Sequence, residues 1–242
     1  NLQLSNSTDV PRYDRLQDLK NFGGTIGTTL RYAEWYYGPQ FRLLSAYQAQ
    51  WHPTINREVN VHVHYQHILE SRQTREYQRY DRFDSRREKL GVWGFNLDTR
   101  TKQSLDEFTY GIDGQWNNLH SEADRTNQLT GVKTPLDSRY PNGINHLLYL
   151  GAYGQHLRKY KQGKWIVNDG IRLQMVQLRS TIVDNSFFNF PFTEINQDNL
   201  ALTGNLGLIY QPEPAFRAAF NLSSGFRAPN IDDAARIFES SS

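Results

Sequence analysis

Residues 199–226, NLALTGNLGLIYQPEPAFRAAFNLSSGF, decide the fold of this chain. From Leu200 the even positions are Leu200, Leu202, Gly204, Leu206, Leu208 and Tyr210, with Ala201, Thr203, Asn205 and Gly207 between them. This is the period of two of a strand with one apolar face and one small or polar face. At Gln211-Pro212-Glu213-Pro214 the prolines, which lack an amide donor, predict a break and a tight turn. A second strand follows, with Phe216, Ala218, Phe220 and Leu222 on one side and Arg217, Ala219, Asn221 and Ser223 on the other. Each strand can supply the roughly 9 to 11 tilted residues that cross a bilayer. Asn, Arg, Thr and Ser on the second face suit a wet lumen, so the pattern predicts an antiparallel transmembrane β-barrel. The alternative is a secreted, soluble glycan-binding sheet protein with one solvated face.

Working outward, the same alternation recurs. Leu43, Ser45, Tyr47, Ala49 and Trp51 follow an interruption at Gly38-Pro39, and Trp51 is placed to lie at a lipid–water boundary. Val61, Val63, Tyr65 and His67 oppose Asn60, His62, His64 and Gln66; Trp93, Phe95 and Leu97 oppose Val92, Gly94, Asn96 and Asp98. Phe108, Tyr110, Ile112, Gly114 and Trp116 form another such face, as do Leu148, Leu150, Ala152 and Gly154. The pattern is less clean at Ile171, Leu173 and Met175, where a shift near Val176 to Leu178 predicts a bulge.

Connections alternate in length. Those near residues 80–87, 122–145 and 183–197 are moderate or long, whereas those near Arg100, 159–163 and 211–214 are tight. Barrels of the outer membrane have short turns at one rim and long loops at the other. About nine strands result, an odd number that cannot close a bacterial single-chain barrel alone. Asn1 to Ser7 reads as a strand end, residues 9–16 and the glycine-rich 21–28 as loops, and 231–242 as helix or loop. The chain is expected to begin inside a larger protein.

Composition agrees with this class. In 242 residues there are 14 Tyr, 13 Phe and 5 Trp, yet the mean hydropathy is −0.71, as expected when strands show lipid on one side only. With no Cys, disulfides and thiolate metal sites are excluded. A net charge of +2 argues against a polyelectrolyte partner. The Arg- and Tyr-rich run 70–89 is offset by Glu70, Glu76, Asp81, Asp84 and Glu88, which points to a solvated hairpin rather than a nucleic-acid surface. His62 and His64 share a face, but two lumen histidines need no metal. His120, Asp113 and Ser121 make no catalytic constellation, and no enzyme activity or cofactor is expected.

At Ser224-Gly225-Phe226-Arg227-Ala228-Pro229-Asn230 the chain resembles the TonB-dependent outer-membrane receptors, particularly the haem, haemoglobin and siderophore branches. Residues 9–16, DVPRYDRL, and 33–40, AEWYYGPQ, are also similar to receptors from Bacteroidetes-type bacteria. The resemblance implies a roughly 22-stranded barrel in the outer membrane of a Gram-negative bacterium, closed by an N-terminal plug. It also implies import of a scarce ligand, first haem or a ferric siderophore, with cobalamin and an oligosaccharide also open, and energy from a TonB-type transducer acting through that plug. Residues 1–242 would then be an incomplete barrel domain without plug or final strands, in contact with outer-membrane lipid. A passive porin is the other membrane alternative. Within the family motif Gly225, Phe226, Arg227, Ala228 and Pro229, Arg227 and its neighbour Arg217 lie on the polar parity, where they can meet lumen acids, plug carboxylates or an anionic ligand. His120, His146, Phe187 and Phe188 are the loop residues nominated for ligand contact, Phe187 and Phe188 also for packing on the rim or against the plug.

Overall fold

The computed structural model describes residues 1–184, 186–187 and 190–235. Among the described residues there are fourteen strands, and their main sheet is a single antiparallel run. The first two lanes of this sheet are kinked. Strands β1 (Leu2–Ser7) and β2 (Val10–Pro11) pair in turn with β6 (Gln40–Thr54) and β5 (Tyr32–Tyr37). Between them lie α1 (Tyr13–Leu16) and the hairpin of β3 (Leu19–Phe22) and β4 (Thr25–Leu30). The predicted glycine-rich loop is thus a hairpin turning at Gly23-Gly24, both at positive φ. Strands β5 and β6 both pair with β7, so they form one long strand broken at Gly38-Pro39. Gly38 has φ 126°, and a Cβ there would meet the Thr8 carbonyl oxygen at 2.6 Å. Only glycine lets the two kinked lanes nest.

Strands β7 (Arg57–Glu76), β8 (Phe83–Gln103) and β9 (Asp106–Thr126) are 20, 21 and 21 residues long. They exceed what a bilayer requires, so their charged upper halves rise above it as the solvated hairpin expected from the sequence. The short β10 (Lys133–Pro135) pairs with β9. Then come β11 (Asn145–Tyr160), β12 (Trp165–Thr181), β13 (Glu194–Glu213) and the edge strand β14 (Phe216–Ser223). The hydrogen-bonded path is β1-β6-β7-β8-β9-β11-β12-β13-β14, nine lanes, as the alternation predicts.

Every connection at one rim is short: 55–56, 104–105, 161–164 and 214–215. At the other rim the connections are 12–31, 77–82, 127–144 and 182–193. The segregation matches the expectation, although individual turns are displaced. The tight turn falls at Ser104-Leu105 instead of at Arg100, and β13 runs through Pro212 to a turn at Pro214-Ala215, with a register shift between Tyr210 and Glu213 absorbing the missing amide. The bulge predicted near Val176 is absent: β12 pairs without a break to both neighbours.

One face of the sheet is apolar and uncovered. Leu202 is 72 % exposed, Phe220 65 %, Trp93 52 % and Ile112 47 %, and none is enclosed by a second layer of this chain. That excludes the two-layer sandwich. Aromatic rings collect at two levels of this face. Tyr65 lies 4.5 Å from Trp93, which pairs in register with Trp116; near the short-turn rim Trp165 lies 4.2 Å from Tyr210, and Trp51 precedes the 55–56 turn. Two such girdles bracketing an apolar band are what a lipid-facing wall requires. Among the described residues no helix is long and apolar enough to cross a membrane, which says nothing of strands.

Candidate functional site

The opposite face is polar and is the inner wall. Its lower half is fastened across strands. Arg172 of β12 reaches over β11 to Asp113 of β9, donating Nη1 to Oδ2 at 2.6 Å and Nη2 to Oδ1 at 2.8 Å. The crossing needs Gly151 beneath it, because a Cβ there would come within 2.2 Å of Nη2. Asn60 donates to Asp98 at 3.1 Å, and Asn96 to the Tyr153 hydroxyl at 3.3 Å. His62 and His64 are on this face with ring centroids 5.4 Å apart, as expected from parity. Among the described residues no three His, Asp or Glu side chains group to hold a metal ion.

Higher on the inner wall, two like-charged pairs stand directly opposite each other: Glu70 with Glu88 and Arg72 with Arg86. Such pairs repel. Relief comes from other elements: Arg42 donates to Glu70 at 2.7 Å, and Arg86 donates to the Asp137 side chain at 3.1 Å and its carbonyl at 3.2 Å. The second contact draws the 127–144 connection inward. Asn145 completes the fold-back, donating to the Leu119 and Pro141 carbonyls while its Oδ1 accepts from the Ser180 hydroxyl at 2.6 Å.

A second segment also turns inward. Beyond β14 the motif residues 224–230 lead into α2 (Ile231–Ala235), and Asn230, Ile231 and Asp232 face the wall. Between this segment, the inward loop and the sheet is a cavity of about 550 Å³. Its floor is Ile68, Leu90, Val92, Leu119, Leu147 and Leu178, and its polar edge includes Glu70, Glu88, Arg139 and Asn117. Val92 and Leu178 on this floor are buried, two of the four buried hydrophobic residues among those described. At the outer rim, the Arg12 guanidinium stacks 4.9 Å from Trp35 and holds the Asp14 carboxyl down to about 2. In the 77–82 connection, the Arg79 guanidinium likewise holds Asp81 well below the usual carboxylate range.

The nominated residues scatter. Arg217 has inner-wall parity and no ion pair with a described residue. Arg227 is paired: its Nη2 lies 2.8 and 2.6 Å from the two Asp233 oxygens. Gly225, Phe226, Ala228 and Pro229 form the irregular stretch that carries it. His120 shares the outward parity of Trp116 and sits 3.6 Å from Glu122; His146, on the face of Leu148, contacts Trp116 at 5.5 Å. Parity puts both on the outer side of the wall above the apolar band, and His146 also borders the inner-wall cavity described above. Phe187 lies beside Leu136, Ile182 and Phe190 at the loop rim, and Phe188 is outside the described residues. Sequence parity missed three features: the Asp113–Arg172 tie, the inward loop, and a cluster on the outward face where His156 lies 3.0 Å from Asp106 and 3.1 Å from Asp169. For the first, the signal was a glycine in register with the inward Asp113, one inward rung from the pair of Tyr153 and Arg172.

Residues 1–239 match the family model described as TonB dependent receptor-like, beta-barrel. No curated protein sequence matches the chain. Among solved structures, "Copper transporter OprC" is similar with a TM-score of 0.62 at 12 % identity, over 74 % of this chain and 29 % of that one. The ferric citrate transporter FecA in its unliganded form is similar with a TM-score of 0.57 at 15 % identity, over 91 % and 32 %. The chain thus spans about a third of the length of these structures, and at such identities the likeness shows the fold. Nine antiparallel lanes, an exposed apolar band and a matched family model lead to one conclusion: this chain belongs to the TonB-dependent receptor β-barrel family, whose members are outer-membrane receptors of Gram-negative bacteria.

Proposed function

We propose that residues 1–242 form barrel wall in an outer-membrane receptor for energy-coupled uptake of a scarce small ligand, a metal chelate of the ferric siderophore class or haem. The observation that supports gated uptake over passive diffusion is the inward folding of two segments onto the inner wall. Together they build a cavity of about 550 Å³ where a general pore would keep an open water path. Arg139, with the ring of Tyr140 beside it, borders this cavity and suits an anionic, planar chelate. Arg217, on the inner face, is the nominated residue best placed for a ligand or plug carboxylate. The similar solved proteins are transporters of copper and of ferric citrate by name, which favours a metal-containing cargo. The energy is assigned to a TonB-type transducer acting through a plug domain.

The test uses the full-length receptor in cells lacking other uptake routes for the cargo. Accumulation of radiolabelled ferric chelate or haem should saturate and should vanish when the transducer is deleted. Uptake that is linear in concentration and indifferent to the transducer would identify a passive channel instead.

A further inference from the structure

The family motif is tied to itself, and the tie determines what faces the cavity. At Ser224 the ladder with β13 ends: the Ser224 amide donates to the Gly204 carbonyl at 2.9 Å and its hydroxyl accepts from the Gly204 amide at 2.9 Å. Six residues later Asn230 and Asp233 cap each other reciprocally. The Asn230 amide donates to Asp233 Oδ2 at 3.0 Å, and the Asp233 amide donates to Asn230 Oδ1 at 3.1 Å. This is the logic of a capping box, with Asn at the cap and Asp three residues on. Arg227 adds its guanidinium to the same carboxylate from the other side, so Asp233 gathers donors from residues 227 and 230 at once. Pro229 restricts the backbone between them. Ile231, enclosed by this loop of contacts, is the apolar residue placed over Val92, Leu119 and Leu178.

We propose that Arg227, Asn230 and Asp233 form a clasp that holds the Asn230–Asp232 turn as the roof of the inner-wall cavity. Arg227 is then a positioning residue, not a ligand contact. The parts of the clasp differ in strength. Arg227 is 76 % exposed and its ion pair is screened, whereas the reciprocal Asn230–Asp233 bonds fix the backbone. The roof follows from geometry alone; its effect on cargo affinity rests on the uptake reading above.

Hydrogen exchange on the full-length receptor tests the clasp without any cargo, by following the segment 225–235 against β12 as a control for global stability. Asp233→Ala and Asn230→Ala should each accelerate exchange in 225–235 about tenfold while β12 is unchanged, the effect of losing a cap. Arg227→Ala should accelerate it less, about two- to fivefold, with Arg227→Lys restoring most of the protection. Unchanged exchange in all three alanine variants, or equal acceleration in β12, overturns the clasp. A cargo-binding arm separates the two readings. Saturable binding of ferric chelate by the wild type that weakens in Asp233→Ala supports the roof's effect on cargo affinity, and binding indifferent to Asp233→Ala overturns that effect. A wild type with no saturable binding defeats the uptake reading and leaves the exchange result standing.

Discussion

Ile112→Arg, compared with Gln115→Arg, turns the two-faced wall into a number. Both residues lie in β9, flanked on both sides by strands, but Ile112 has outward parity and Gln115 borders the inner cavity. Phe108 and Trp116 mark the ends of the apolar stripe on this strand, about 27 Å apart along it and roughly 20 Å in height at a tilt near 40°. Ile112 is at its centre, and its in-register neighbours are Leu97 and Ala152, so an introduced guanidinium would find no carboxylate beside it. An arginine at bilayer mid-height costs ~2–4 kcal/mol. That is about a 30- to 700-fold loss in the folding equilibrium. Gln115→Arg exchanges one long polar side chain for another against water and should cost about 1 kcal/mol or less. The assay is urea unfolding of the full-length receptor in phospholipid vesicles, followed by tryptophan fluorescence. Equal costs for the two variants, or a larger one for Gln115→Arg, would refute the assignment of faces.

Three further outcomes follow from local geometry. Gly151→Val should displace Arg172 from Asp113 and cost about 1–2 kcal/mol; the same change made on top of Asp113→Asn should cost markedly less, as a double-mutant cycle would show. Asp14 is held at about 2 by Arg12, so its contribution to the order of the 12–31 connection is complete above the ordinary carboxylate range and lost as pH falls through about 2. Limited proteolysis of that connection by a pepsin-like protease should therefore be no faster at pH 4 than at pH 5 and should rise sharply only toward pH 2. Ser104 occupies the left-handed region at φ 55° in a tight turn. Ser104→Val should lower the urea midpoint, costing about 1 kcal/mol or more, while Ser104→Gly stays within about 1 kcal/mol of wild type.

The wall was legible in the sequence because alternation is imposed by the backbone: Leu200 to Leu208, Trp93 to Leu97 and Phe108 to Trp116 could each be assigned a face from composition alone. Turn positions were less legible. Strands continue past the lipid, so the polar residues Arg100 to Gln103 look like a loop although they are the last rungs of β8. The sequence around Val176 and Leu178 misled for a different reason. Their apolar character on the polar parity resembles a slipped register, but the register is intact and the residues are buried inner-wall positions. What draws that loop inward is long-range, the Arg86–Asp137 contact and the bonds of Asn145, and no local period encodes it. His120 and His146 are the opposite case: nominated by proximity to a loop, they are assigned to the outer side by the same local alternation that carries Trp116 and Leu148.

The most direct measurement of the two-faced wall is a scan of single cysteines along residues 108–117, made straightforward if the full-length receptor, like this stretch, lacks Cys. Nitroxide labels on the receptor in vesicles report collisions with oxygen, which concentrates in lipid, and with a water-soluble nickel chelate. The account predicts strict alternation, with oxygen access at 108, 110, 112, 114 and 116 and none of comparable size at 109, 111, 113, 115 and 117. Labels at 110, 112 and 116 that meet neither reagent would place these side chains in a protein core and contradict it.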